Sequence, residues 1–109
     1  MSMRGDRVDA VFAALADPTR RRLLGRLAEQ QSATATELAA SETVSRQAIV
    51  KHLRSLDDAG LVTPSRTGRE VRYALTPEPL EDAVGWMATV GAQWDRRLAR
   101  LRGRLEAGY

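Results

Sequence analysis

Apolar residues recur along this chain in two rhythms, and the points where one gives way to the other divide it into elements. Val8, Val11, Phe12 and Leu15 fall three and four residues apart, which predicts a first helix over 7–16. Asp17-Pro18 interrupts it: Asp is a good N-cap, and Pro fits a first helical position, where the missing N–H has no partner to lose. A second helix follows to about Glu29, with Leu23, Leu24 and Leu27 on one face. Thr34-Ala35-Thr36-Glu37 has the spacing of a capping box and opens a short third helix carrying Leu38 and ending near Ser41. After a brief turn, Ser45 is a second N-cap, and a fourth helix runs over 45–59 to a glycine stop at Gly60.

The rhythm then changes to period two. Val71, Tyr73 and Leu75 alternate with Glu70, Arg72 and Ala74, a half-buried strand whose partner is expected over 61–65, joined through a Thr67-Gly68-Arg69 turn. Beyond Pro77 and Pro79 the helical period returns. Leu80, Val84, Met87, Gly91, Trp94, Leu98, Leu101 and Leu105 are spaced alternately four and three apart, a heptad seam on a helix of about 28 residues, or roughly 42 Å. A domain this small does not cover so long a seam alone, so the partner expected is the same helix of a second subunit. The alternative is a long helix lying on its own core. Gly85 and Gly91 allow a bend or a close approach. The fold expected is mainly α with a small β-hairpin: one domain over 1–109, with a core over 7–76 and a C-terminal helix region over 77–109.

The two short helices joined by a tight turn, the second longer and basic, match a DNA-binding helix-turn-helix. Ile49, Leu53 and Leu56 mark the buried face of the fourth helix, which leaves Gln47, Lys51 and Arg54 around the opposite pole, able to read base edges in a major groove. Ser45 and Arg46 sit at the helix start and to one side, where phosphate is the expected target. Asp58 shares the exposed face at its far end and would be repelled by phosphate, so the contact is assigned to the first half of the helix. Arg66, Arg69 and Arg72 surround the hairpin tip and are expected to reach the neighbouring backbone or minor groove, with a strong salt dependence.

Charge agrees with this placement. The formal net charge is +3, and residues 1–76 account for it with 12 Lys+Arg against 9 Asp+Glu, while 77–109 balance at 5 and 5. There is no cysteine and a single histidine, His52, which removes disulfides and thiolate chemistry. His52 is expected at the edge of the core, within reach of phosphate. An enzyme finds little support: Ser45 has no base partner except His52, seven residues on, and no carboxylate pair or Gly-rich phosphate loop occurs. No apolar run is long enough for a membrane span and the N-terminus has no signal-peptide core, so a cytoplasmic protein is expected. A winged-helix module that binds protein and not DNA is the other reading. It would present an apolar or acidic face where Gln47, Lys51 and Arg54 stand.

Asp17-Pro18-Thr19-Arg20, the run from Ser45 to Leu53, Asp58-Ala59-Gly60-Leu61-Val62, and Gly68-Arg69-Glu70-Val71-Arg72-Tyr73 together resemble the ArsR-type winged helix-turn-helix repressors, over about 8–105. The C-terminal Leu80, Trp86, Trp94, Leu98 and Leu101 resemble the branch with one long terminal helix. The resemblance implies a homodimer, usually a repressor at a palindromic double-stranded operator, built on the first and last helices. That brings Val8, Val11 and Phe12 into the expected interface beside the seam. Three departures stand out. The cysteine or histidine–acid ligands of metal-sensing members are missing, so no metal or other cofactor is expected, and no residue pattern assigns a small-molecule effector. Val50 replaces a frequent serine and would meet a thymine methyl. Glu42-Thr43 replaces a common Leu-Gly, which places a charge on the side of Leu38. Arg20, on the Leu23/Leu27 face, is expected to pair with Glu42 or Glu37, since an unpaired inward charge costs several kcal/mol.

Overall fold

Asp17 and Pro18 make the first sharp corner of the chain. The structure, a computed structural model, describes residues 3–108. There α1 (Met3–Leu15) ends and α2 (Pro18–Glu29) begins, with the Asp17 carboxylate accepting from the backbone N–H groups of Thr19 at 2.8 Å and Arg20 at 3.1 Å. α1 starts ahead of residue 7 because its first turn is polar: the apolar repeat begins only at Val8, whereas Asp6 suits the positive end of the helix dipole.

β1 (Ala33–Thr34) leads into α3 (Ala35–Ala39), whose capping box is complete: Thr34 Oγ1 accepts from the Glu37 N–H at 3.1 Å, and Glu37 Oε1 accepts from the Thr34 N–H at 2.8 Å. α4 (Arg46–Asp58) is capped by Ser45, whose Oγ accepts from the Ala48 N–H at 3.1 Å. It ends in a Schellman motif. Gly60 takes φ +76, its N–H bonds Asp57 O at 2.9 Å, and the N–H of Leu61 bonds Leu56 O at 2.9 Å. Leu56 and Leu61 are both fully buried, the apolar contact that accompanies this cap.

β2 (Val62–Thr67) and β3 (Glu70–Leu75) form an antiparallel hairpin in register from Val62↔Leu75 to Thr67↔Glu70. Gly68 has φ +62 at the first of the two loop positions, and Arg69 has a negative φ, the pattern of a type II′ turn. The sheet order is β1-β3-β2, with Ala33 opposite Tyr73 and Thr34 opposite Arg72. A two-residue strand is too short to show a period, so only its capping role is visible in sequence.

The core gathers Leu23 and Leu27 of α2, Leu38 of α3, Ile49, Leu53 and Leu56 of α4, Leu61, and Val11 of α1. This corrects two expected interface positions. α1 lies between α2 and α5 (Glu78–Glu106) with its apolar stripe turned inward, so Val11 and Val8 are 0% and 7% exposed within their own chain and leave almost no surface for a second subunit. Phe12 is half-buried, its ring edge-on to Trp86 at 5.6 Å.

Arg20 also departs from expectation. It pairs with neither acid: its Nε donates to Ala14 O at 2.6 Å and its Nη2 to Ala13 O at 3.2 Å, and Arg21 donates to Leu15 O. α1 has no basic residue in its last turn, so the arginines of the next helix satisfy its terminal carbonyls. Glu42 pairs instead with Arg22 at 3.0 Å, and Glu37 with Arg72 at 3.2 Å. Arg26 plays the same capping part for α3, donating to Leu38 O at 2.8 Å.

α5 runs for 29 residues without a break at Gly85 or Gly91. Pro79 and Ala83 are buried against the domain and Leu80 is half-buried, but every residue from Val84 to Gly108 is exposed. No helix among the described residues is long and apolar enough to cross a membrane.

Candidate nucleic-acid interface

Ile49, Leu53 and Leu56 anchor α4 in the core at zero exposure, and that fixes the rotation of the helix. Gln47, Lys51 and Arg54 then stand on its exposed side, with Ser45 and Arg46 exposed at its start. Ser45 spends one lone pair on its cap and still faces solvent. Arg46 Nε donates to Thr36 Oγ1 at 3.0 Å, which ties the head of α4 to the first turn of α3. Thr36 was not singled out by sequence: its partner lies ten residues away, beyond any local spacing rule. Val50 is half-buried against the core, so only part of its side chain is available outward. His52 is half-buried, and its charge is one of the influences on Asp17. Asp57 and Asp58 are exposed at the far end of the helix.

Arg66 and Arg69 are exposed at the hairpin tip, where the type II′ turn projects them. Arg72 does not join them. Its Nε donates to Ser32 Oγ at 2.8 Å and its Nη2 to Ser32 O at 3.2 Å, and it pairs with Glu37 at 3.2 Å and Glu70 at 3.4 Å. With two carboxylates on it and about a third of its side chain exposed, Arg72 is committed to the protein. These bonds strap the base of the wing to the start of α3, so Arg72 does not project with the tip arginines as expected. Ser32, its other anchor, sits 40 positions away in sequence, so no spacing could have revealed it.

Two carboxylates in this frame are held below their usual range. For Asp17 the main cause is the backbone N–H of Arg20, aided by that of Thr19 and by the nearby His52 and Arg20 charges, against a smaller cost of burial. For Glu37 it is the Thr34 N–H, then the Thr34 hydroxyl, with Arg72 adding. Both carboxylates serve helix starts, away from the outward face of α4. No group of three or more His, Cys, Asp or Glu side chains among the described residues is arranged to hold a metal ion.

A buried-faced α4 with an outward polar and basic side, preceded by a short helix across a tight turn and followed by an arginine-tipped hairpin, defines a winged helix-turn-helix of the DNA-binding class. A family model for a helix-turn-helix domain matches residues 15–64. The transcriptional repressor SdpR of Bacillus subtilis is 35% identical over 77 residues, covering 71% of this chain and 84% of the relative. An ArsR-like transcriptional regulator from Rhodococcus sp. RHA1 superposes with a TM-score of 0.76 at 41% identity, covering 90% of this chain and 92% of that one. A homodimeric winged helix-turn-helix DNA-binding domain from Mycobacterium bovis, a possible ArsR-family regulator, superposes with a TM-score of 0.61 at 27% identity over 85% of this chain and 82% of that one. This chain belongs to the ArsR family of winged helix-turn-helix transcriptional regulators.

Proposed function

We propose that the protein is a homodimeric repressor that binds a palindromic operator in the cytoplasm and acts by binding alone, without catalysis or a resident metal. Residues 7–76 serve as the DNA-binding core and 77–109 as the dimerisation element. Gln47, Lys51 and Arg54 read bases, Ser45 and Arg46 hold phosphate at the start of α4, the exposed part of Val50 meets a thymine methyl, and Arg66 and Arg69 hold the flanking backbone from the wing. The observation that carries this reading is the outward face of α4, polar and basic in its first half and acidic only at its far end. Repression is supported by the likeness to SdpR, and a homodimer by the M. bovis domain and by the uncovered seam of α5.

In such a dimer the two α4 helices enter successive major grooves about 34 Å apart, so half-site centres are expected about 10–11 base pairs apart or at a multiple of a turn. The test is a binding titration on the DNA upstream of the protein's own gene, beside random DNA of equal length, at two salt concentrations. A preference of at least about a thousandfold for one palindromic segment is expected. Equal affinity for every sequence tried would overturn the reading.

A further inference from the structure

Between α1 and the start of α5 the surface is indented by a groove of about 720 Å³, within the usual size of a small-molecule site. No residue of α4 lines it, and it lies apart from the seam of α5. Turned at 100° per residue, Glu81, Asp82, Gly85 and Trp86 centre roughly opposite the line of Val84, Met87 and Gly91. The groove therefore stays open whether or not the seam is covered. We propose that it binds a lipophilic organic cation, such as an aryl-substituted ammonium or phosphonium ion.

Shape supplies the apolar half of the argument. Val8, nearly buried, lies at the base of the groove, and Phe12 and Trp86 stand in its walls. The two rings meet edge-on at 5.6 Å with 70° between their planes, a contact that covers one ring face at most and leaves the others for a third group. Trp86 is 53% exposed, so half of a large apolar side chain is left in water beside a hollow. Gly85 widens that hollow: a Cβ built on it meets no atom within 4 Å.

Charge supplies the other half. Asp9, Glu81 and Asp82 line the groove, and no lysine or arginine does among the described residues. This runs against the sign of the whole chain, whose formal net charge is +3. Arg7 approaches Asp82 Oδ2 at 3.3 Å from outside the lining, yet that oxygen is buried and accepts no hydrogen bond. The Asp82 charge is therefore only partly answered within the chain, and Asp9 and Glu81 are exposed.

Together these features select the ligand. Phosphates, carboxylates and nucleic acid are repelled by the three acids. A neutral apolar molecule would leave the acids unused and partly desolvated. A compact metal ion gains nothing from the rings, and no group of three or more acids among the described residues is arranged to hold one. A weakly hydrated cation with its charge spread over an aromatic body uses both halves, because the carboxylates and the negative faces of the rings attract it alike.

Tetraphenylphosphonium is the probe, and tetraphenylborate, of the same shape and opposite charge, is its control. The chain has two tryptophans, so Trp94→Phe leaves Trp86 as the one reporter, in the wall of the groove. Titrating that variant with tetraphenylphosphonium should change Trp86 emission saturably, with a Kd on the order of 10 μM, ordinary for a ligand of that size. Tetraphenylborate should leave the emission unchanged at the same concentrations. Gly85→Leu, added to that variant, fills the empty space with a better helix former and should abolish the response. Asp9→Asn together with Glu81→Gln removes two exposed charges and should weaken binding roughly three- to tenfold. No saturable response below about 1 mM, or equal responses to the two ions, overturns the proposal. So does undiminished binding by a folded Gly85→Leu chain. Where Gly85→Leu does not fold, the Asp9→Asn, Glu81→Gln chain decides, and an affinity unchanged from its parent overturns the proposal. A hexa-arginine peptide that binds as tightly and displaces the probe would make the groove a docking site for a basic segment, and overturns it too. None of these measurements depends on operator binding or on the oligomeric state.

Discussion

Replacing Arg72 with Met separates a strap from a DNA contact. In the folded protein the guanidinium donates two hydrogen bonds to Ser32, at 2.8 and 3.2 Å, and touches Glu37 and Glu70 at 3.2 and 3.4 Å. A hydrogen bond from a charged donor contributes about 1.5–3 kcal/mol at best, and a partly exposed ion pair about 0–1 kcal/mol. With about a third of the side chain in water and the methionine stem keeping some packing, a net loss of about 1–2 kcal/mol follows. At fixed protein concentration that lowers the Tm by roughly 4–10 °C. DNA affinity should fall modestly and equally on all sequences, because the wing arginines lose a fixed base. The slope of log K against log salt should not change, because no phosphate partner is lost. Thermal unfolding followed by circular dichroism, and titrations of labelled operator at three or more salt concentrations, give the two numbers. An unchanged Tm with a salt slope smaller by about one unit would refute the strap and make Arg72 a phosphate ligand.

Lys51→Ala and Arg54→Ala should each weaken operator binding by about 1–3 kcal/mol while leaving random-sequence binding nearly intact; equal losses on both DNAs would show that they touch only phosphate. Arg20→Met should destabilise the domain by about 1–2 kcal/mol in urea, since two carbonyls at the end of α1 lose their donor, with operator affinity of the folded protein unchanged; a stable variant that loses affinity would contradict this. The lowered pKa values of Asp17 and Glu37 mean that the unfolded chain takes up these protons first as pH falls. Their contribution is complete at neutral pH and is lost below about pH 4.5, so Asp17→Asn and Glu37→Gln should lower stability near pH 7 and flatten its fall between pH 5 and 3. A parallel fall in variants and wild type would remove these carboxylates from the acid response.

Elements with a local signature were readable in advance. The Asp17-Pro18 start, the Thr34 box, the Ser45 cap and the Gly60 stop each join residues within about five positions, and each forms with the expected partners. The rotation of α4 was equally legible, because Ile49, Leu53 and Leu56 fix it from their own spacing. What sequence could not supply were the long arginine side chains. Whether an arginine faces water or a distant acceptor depends on what the fold brings near it. Arg20, Arg22 and Arg72 found Ala14, Glu42 and Ser32 at separations no periodicity encodes. The inward burial of Val8 and Val11 was missed for a related reason. An apolar stripe shows that a face is covered and is silent on whether the cover comes from the same chain.

The second half of α5 is exposed along its whole length, and in the homodimer proposed above this would tie its folding to abundance. An isolated helix of some fifteen residues is marginal in water. Beyond Gly91 this one has only its own backbone bonds and weak neighbours such as Arg97 over the Trp94 ring at 5.8 Å. In that dimer, helix formation there and capture by a second copy would become one equilibrium. Dilution then unravels the tail, which hydrogen exchange registers as loss of protection over 92–106 while Leu53 and Leu56 stay protected. A scarce protein would then expose an arginine-rich end to proteases and an abundant one would hide it, so its level would set its lifetime.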